Sequence, residues 1–145
     1  MTGPFFVDTN VLVYNWDTTD AVRQHRAAEW LRVLADTRNG RVSFQVLSEF
    51  FVNATQKLRV PVEKGEARTF ARGLCAWNPV PVDGALLEGA WQTHDRYRVS
   101  WWDALIVAAA QRARCRTLLS EDFQAGQDFD GLTVVNPFAT APPEP

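Results

Sequence analysis

Phe5-Phe6-Val7-Asp8-Thr9-Asn10 is the stretch on which the fold turns. Three apolar residues run without alternation, as in a strand buried on both faces, and open at once into residue types that cap helices. The expected strand ends at Asp8, and residues 11–14 form a short helix after it. Asp20 is placed to cap a longer helix with Ala27, Trp30, Leu31 and Leu34 on one face, ended by Asn39-Gly40. Residues 42–44 read as a second short strand. A helix over 45–58 follows, with Leu47, Phe50, Phe51, Ala54 and Leu58 inward.

Pro61 suits the first turn of the next helix, to about Trp77, because no amide donor is lost there. Residues 80–82 are a strand only weakly, since Pro81 cannot donate to a ladder. Asp83 caps a helix reaching Arg98, and Ser100 begins another whose residues 105–110 are apolar nearly all round. Residues 117–120 and 132–135 are the last two strands. Short strands alternating with amphipathic helices predict one α/β domain over 1–138, a mostly parallel sheet covered on both faces. The Pro-rich residues 139–145 are expected to be a disordered tail.

In such a sheet, function collects at the carboxyl ends of the strands, where strand order reverses. Four acids from four segments can meet there: Asp8 after the first strand, Glu49 early in the helix after the second, Asp103 in the first turn of the buried helix, and Asp122 past residue 120. Each has a plainer role open to it. Asp8 can cap a helix, Ser100-Trp101-Trp102-Asp103 matches a capping box, Glu49 can be a solvated glutamate and Asp122 a turn residue. Their joint placement is the signal. Clustered carboxylates repel, and a divalent cation relieves the conflict. With neither histidine nor thiol at ligand spacing, oxygen donors favour Mg²⁺ or Mn²⁺ over zinc, which equips the site for in-line attack on a phosphodiester.

Composition bounds the rest. The chain has 145 residues, 46% hydrophobic and 22% charged, enough to bury a core. Two cysteines, Cys75 and Cys115, give no disulfide framework. No apolar run approaches a membrane span, and residues 1–8 have no secretory pattern, so a cytoplasmic protein is expected. A net charge of −2 argues against nucleic-acid binding by bulk positive charge. Only Lys57 and Lys64 among 15 basic residues are lysines. Arginine suits bidentate phosphate recognition, although coding bias gives the same pattern.

Phe-Phe-Val-Asp8-Thr-Asn, Leu-Ser-Glu49-Phe, Trp-Trp-Asp103-Ala-Leu-Ile and Leu-Leu-Ser120-Glu-Asp122-Phe together resemble the four acidic motifs of PIN-domain ribonucleases, most closely the VapC toxins of bacterial VapBC toxin–antitoxin systems. The likeness runs from about Phe5 to Phe138 with order and spacing kept. It implies a PIN-like three-layer α/β/α sandwich and Mg²⁺- or Mn²⁺-dependent endoribonuclease activity. Asp8, Glu49, Asp103 and Asp122 map onto the metal-site acids, and Thr9, Asn10 and Ser120 onto supporting polar positions. Ser120 stands where the family often has threonine, and the hydroxyl is kept. The resemblance also implies a VapB-like antitoxin that places an arginine or blocking side chain at the acids. Homodimerisation through one apolar face is expected, with antitoxin bound next to Glu49.

Other constellations are weaker. His25 and His94 read as surface residues. No nucleophile elbow and no Gly-rich phosphate loop occurs. Of the six tryptophans, Trp30, Trp77 and Trp91 are expected in the core or a dimer interface, while Trp101 and Trp102, adjoining Asp103, are candidates for stacking on bases. A haloacid-dehalogenase-type phosphatase also has an aspartate ending its first strand, but its usual second aspartate is here Asn10. A catalytically silent RNA- or protein-binding module is the third reading, and retention of four acids counts against it.

Overall fold

The computed structural model describes residues 1–144. Among them five strands form one sheet: β1 (Phe5–Val7), β2 (Gly40–Arg41), β3 (Thr117–Leu119), β4 (Asp128–Phe129) and β5 (Leu132–Val135), in the order β2-β1-β3-β5-β4. Strand β1 pairs in parallel with both β2 and β3, and β3 in parallel with β5. Only the β4–β5 pair is antiparallel. Six α-helices accompany the sheet: α1 (Thr9–Tyr14), α2 (Ala21–Thr37), α3 (Phe44–Val52), α4 (Lys64–Leu74), α5 (Gly84–Tyr97) and α6 (Trp101–Arg112). Helix α1 packs on α2 and α3, α3 packs on α4, and α5 pairs extensively with α6. The result is the expected three-layer α/β/α arrangement with a mostly parallel sheet.

Every residue of β1 and β3 is buried, as central strands of a parallel sheet covered on both faces require. Residues 104–110 of α6 are buried on all sides, which explains a helix without a polar face. Trp30, Phe6, Phe50 and Phe129 are the largest fully buried side chains, and each contributes on the order of 1.5–3 kcal/mol by burial. The Trp30 indole is not left with an orphan donor. Its Nε1 donates to the carbonyls of Pro137 and Thr140, both at 2.9 Å. Residues 139–144 thus hold neither helix nor strand but have one carbonyl tied to the core; Pro145 lies outside the described residues.

Several boundaries differ from the sequence reading. The second strand is Gly40–Arg41 rather than 42–44, because the Ser43 hydroxyl accepts from the Val46 amide and starts α3. The extended residues Val42 and Ser43 pair instead with Val80, the one position of the weak strand 80–82 that bridges. Helix α2 ends at Arg38, in the left-handed region at φ 55°, and not at Asn39-Gly40. Pro61 does not open α4. Glu63 caps it, its two carboxylate oxygens accepting from Gly65 and Glu66 at 2.9 Å. The helix expected over 45–58 changes pitch at Asn53, and Asn53–Lys57 form a π-helical turn. Strand β4 went unread, although Asp130-Gly131 between it and β5 is a two-residue hairpin turn with both φ angles positive. Trp91 is outside the core, at 49% exposure.

Gly40 has a packing role. A methyl group there would come within 2.5 Å of the Trp77 ring. Gly40→Ala is therefore expected to cost about 1–3 kcal/mol in urea unfolding. Trp77→Leu should absorb most of that loss, and equal losses in both backgrounds would assign the cost elsewhere.

Candidate active site

The chain leaves β1 for β2 on one side and reaches β3 on the other, so a crevice opens at the carboxyl ends of β1 and β3. Asp8 immediately follows β1, and Ser120 immediately follows β3. Asp8 is only 6% exposed and Ser120 is fully buried. The Ser120 hydroxyl donates to Asp8 Oδ2 at 2.7 Å, and the Thr9 amide donates to Asp8 Oδ1 at 2.8 Å. The second bond is also the cap of α1, so helix start and carboxylate orientation are one contact.

Asn10 ties the remaining pieces together. Its Nδ2 lies 3.2 Å from both Ser120 Oγ and Asp122 Oδ2 and 3.4 Å from Asp8 Oδ2. Its Oδ1 accepts from the Glu121 amide at 3.3 Å. The Asp122 amide donates to Ser120 Oγ at 3.0 Å, which turns the strand end so that Asp122 faces the crevice. Across it, Thr9 Oγ1 donates to Glu49 Oε1 at 3.1 Å. Asp103 enters from the first turn of α6, where its amide donates to the Ser100 cap.

All four acids line one cleft of about 330 Å³, with Thr9 and Asn10 in its wall and Ser120 behind them. The sequence-predicted set is brought together as a whole. Other lining residues were not foreseen: Tyr14, Asp17, Gln45 and Asn53. Gln45 was legible as a partner four residues before Glu49, and its Nε2 reaches both Glu49 Oε1 and the Trp102 carbonyl. Arg23 was missed too. It grips Glu121 through Nε at 2.9 Å and Nη2 at 2.8 Å and lies over the Tyr14 and Phe138 rings. His25 and His94 stand outside the cleft.

Electrostatics follow from this crowding. Burial pushes the Asp8 carboxyl up to about 7, against the pull of the Ser120 and Thr9 hydrogen bonds, and the charges of Asp122 and Glu49 push the same way. Asp103 is also raised, first by burial and then by Asp122, against the pull of Ser100. No lysine or arginine is among the residues lining the cleft. Negative charge is concentrated there with nothing in the wall to neutralise it, a donor set suited to a hard cation. Among the described residues no three acids close on a point tightly enough to enclose an ion alone.

The family model of the PIN domain matches residues 5–127, and this chain belongs to the PIN domain family. Solved structures that share its fold include two from toxin–antitoxin systems. One is a toxin–antitoxin complex from Klebsiella pneumoniae, with 18% identity, TM-score 0.62, and 91% of this chain and 96% of that chain covered. The other is VapC20 of Mycobacterium tuberculosis, a toxin that cleaves the sarcin–ricin loop, with 20% identity, TM-score 0.59, and 81% and 89% covered. A search of curated proteins gives no significant match.

The raised Asp8 has a stability consequence with a definite sign. Between its ordinary 3.8 and about 7, the unfolded chain has lost this proton while the folded chain keeps it. Folding therefore loses stability as pH rises through that window, and the loss levels off above it. Asp8→Asn removes the dependence. In EDTA it should be more stable than wild type above pH 7, by on the order of 2–4 kcal/mol, with the gain vanishing below pH 4. A difference that stays constant across this range in thermal unfolding would refute the burial argument.

Proposed function

We propose that this chain is a metal-dependent endoribonuclease and the toxin of a toxin–antitoxin pair. The observation that carries the reading is a PIN-family chain whose four acids, from four segments, line one cleft at the β1–β3 switch point. Its fold likeness to a toxin–antitoxin complex and to an RNA-cleaving toxin supports the same reading. Asp8, Glu49, Asp103 and Asp122 would hold Mg²⁺ or Mn²⁺. When bound, such an ion neutralises charge on the phosphodiester and acidifies water for attack.

The protein's own part is orientation. Ser120 and Asn10 fix Asp8 Oδ2, and Asn10 also fixes Asp122 Oδ2, so these carboxylates need no rearrangement when substrate arrives. Thr9 and Gln45 hold Glu49 Oε1 on the opposite wall. Asp103 would complete the carboxylate set from the first turn of α6, which the Ser100 cap holds in place.

Partners follow from the same charge. An RNA phosphate meets no cation in the cleft wall, so cleavage is expected at a few defined RNA sites rather than wherever a strand is exposed. A VapB-like antitoxin would quench the acids by presenting an arginine, whose charge and planar fork match them. Association of two copies through an apolar face is part of the proposal. Among the described residues no helix is long and apolar enough to cross a membrane. Residues 1–138 are proposed as a single PIN unit.

The test is RNA cleavage in Mg²⁺ or Mn²⁺ with and without EDTA. Asp8→Asn and Asp103→Asn should each lower EDTA-sensitive cleavage at least about a hundredfold while circular dichroism stays native. Wild-type rates in folded Asp8→Asn would end the metal-site reading. Expression of wild type should arrest growth, and the adjacent small open reading frame should relieve the arrest.

A further inference from the structure

Trp102 is the most exposed large aromatic of the chain, at 63%, although tryptophan has more apolar surface to hide than any other side chain. It lines the cleft one residue before Asp103, alongside Ile106 and Gln45. Its main chain is fixed twice. Its carbonyl accepts from Gln45 Nε2 at 3.4 Å, and it lies in the α6 turn that Ser100 caps. The neighbouring Trp101 is packed, 6.3 Å from the Trp91 ring and edge-on to His94 at 6.2 Å. The turn is thus anchored by one tryptophan while the next is left facing solvent at the mouth of the cleft.

The cleft wall explains what such a residue is for. Its lining holds five carboxylates, those of Asp8, Asp17, Glu49, Asp103 and Asp122, and no cationic side chain. A polyanion entering it gains nothing from the wall by charge, so protein-derived affinity has to come from neutral contacts. Stacking of a nucleobase on an indole is the strongest neutral contact open to single-stranded nucleic acid, and every base has a face to offer. We propose that Trp102 is a base-stacking residue, taking the nucleobase that flanks the phosphodiester held at the carboxylates. This rests on the nuclease reading of the cleft. It assigns recognition of unpaired or extruded bases to a single side chain. Duplex RNA, with its bases already stacked, is disfavoured. Phe44, which is 47% exposed at the start of α3 but does not line the cleft, is the natural control.

The experiment uses the full chain in Mg²⁺ and a pool of random-sequence, single-stranded RNA decamers with 2-aminopurine at the central position. Quenching is followed by rapid mixing before strand scission, and steady-state cleavage of the same pool is measured separately. Wild type and Phe44→Ala should quench the 2-aminopurine alike. Trp102→Ala should lose the quenching, bind about ten- to a hundredfold more weakly and raise KM by the same factor, with kcat within about threefold. Trp102→Phe should recover most of the effect. If wild type cleaves but Trp102→Ala matches it in quenching and KM, stacking is overturned and the nuclease reading stands. If wild type cleaves neither the pool nor total cellular RNA in Mg²⁺ or Mn²⁺ yet quenches through Trp102, the nuclease reading falls and the stacking site remains. Unchanged quenching with a drop in sedimenting mass in Trp102→Ala would give this face to a second copy of the chain and overturn the proposal.

Discussion

A carboxylate at the end of a central strand must be solvated by protein, and at Asp8 the solvent is the Ser120 hydroxyl at 2.7 Å and the Thr9 amide at 2.8 Å. Both contacts depend on the fold being closed. Ser120 arrives only because β3 lies against β1 in register, Val7 opposite Leu119. The Thr9 amide is free to donate only because α1 begins there, where a first-turn N–H has no helical partner. Without these bonds burial would drive the carboxyl further toward its neutral form. With them, it becomes the fixed point from which Asn10, Asp122 and the strand-end turn take their positions.

The architecture was legible where one physical cue acted alone. An unbroken apolar run marked β1, short aliphatic and β-branched runs marked β3 and β5, and a helix apolar nearly all round could only be α6 inside the molecule. Errors arose where two cues competed for the same residues. Val42-Ser43-Phe44 has the composition of a strand, but the Ser43 hydroxyl caps a helix, and the cap prevailed once Gly40–Arg41 had taken the edge of β1. Pro61 is compatible with a helix start, but Glu63 satisfies two orphan amides where proline merely lacks one. Strand β4 is too short for any periodicity to register, and only Asp130-Gly131 announced it.

The acids were legible for a different reason. Each sits at a strand end or in the first turns of a helix, positions that a parallel sheet sends to one edge whatever the details. The polar lattice behind them was not. Asn10 and Ser120 are 110 positions apart, Arg23 and Glu121 nearly as far, and no local pattern says that they touch. The exposure of Trp102 was equally out of reach, since adjacent residues on one turn point in different directions and only packing decided that Trp101 would be covered.

The outermost strands, β2 and β4, are two residues long. Each therefore offers an incoming chain almost no ladder of unpaired amides and carbonyls, and Val80 has already claimed the extension of one edge at Ser43. A protein whose core strands are continuous apolar segments would otherwise be a good template for fibrous aggregation. Clipping both margins of the sheet protects it. It also leaves helices and loops as the surfaces open to a second chain, because the sheet has no border wide enough to extend.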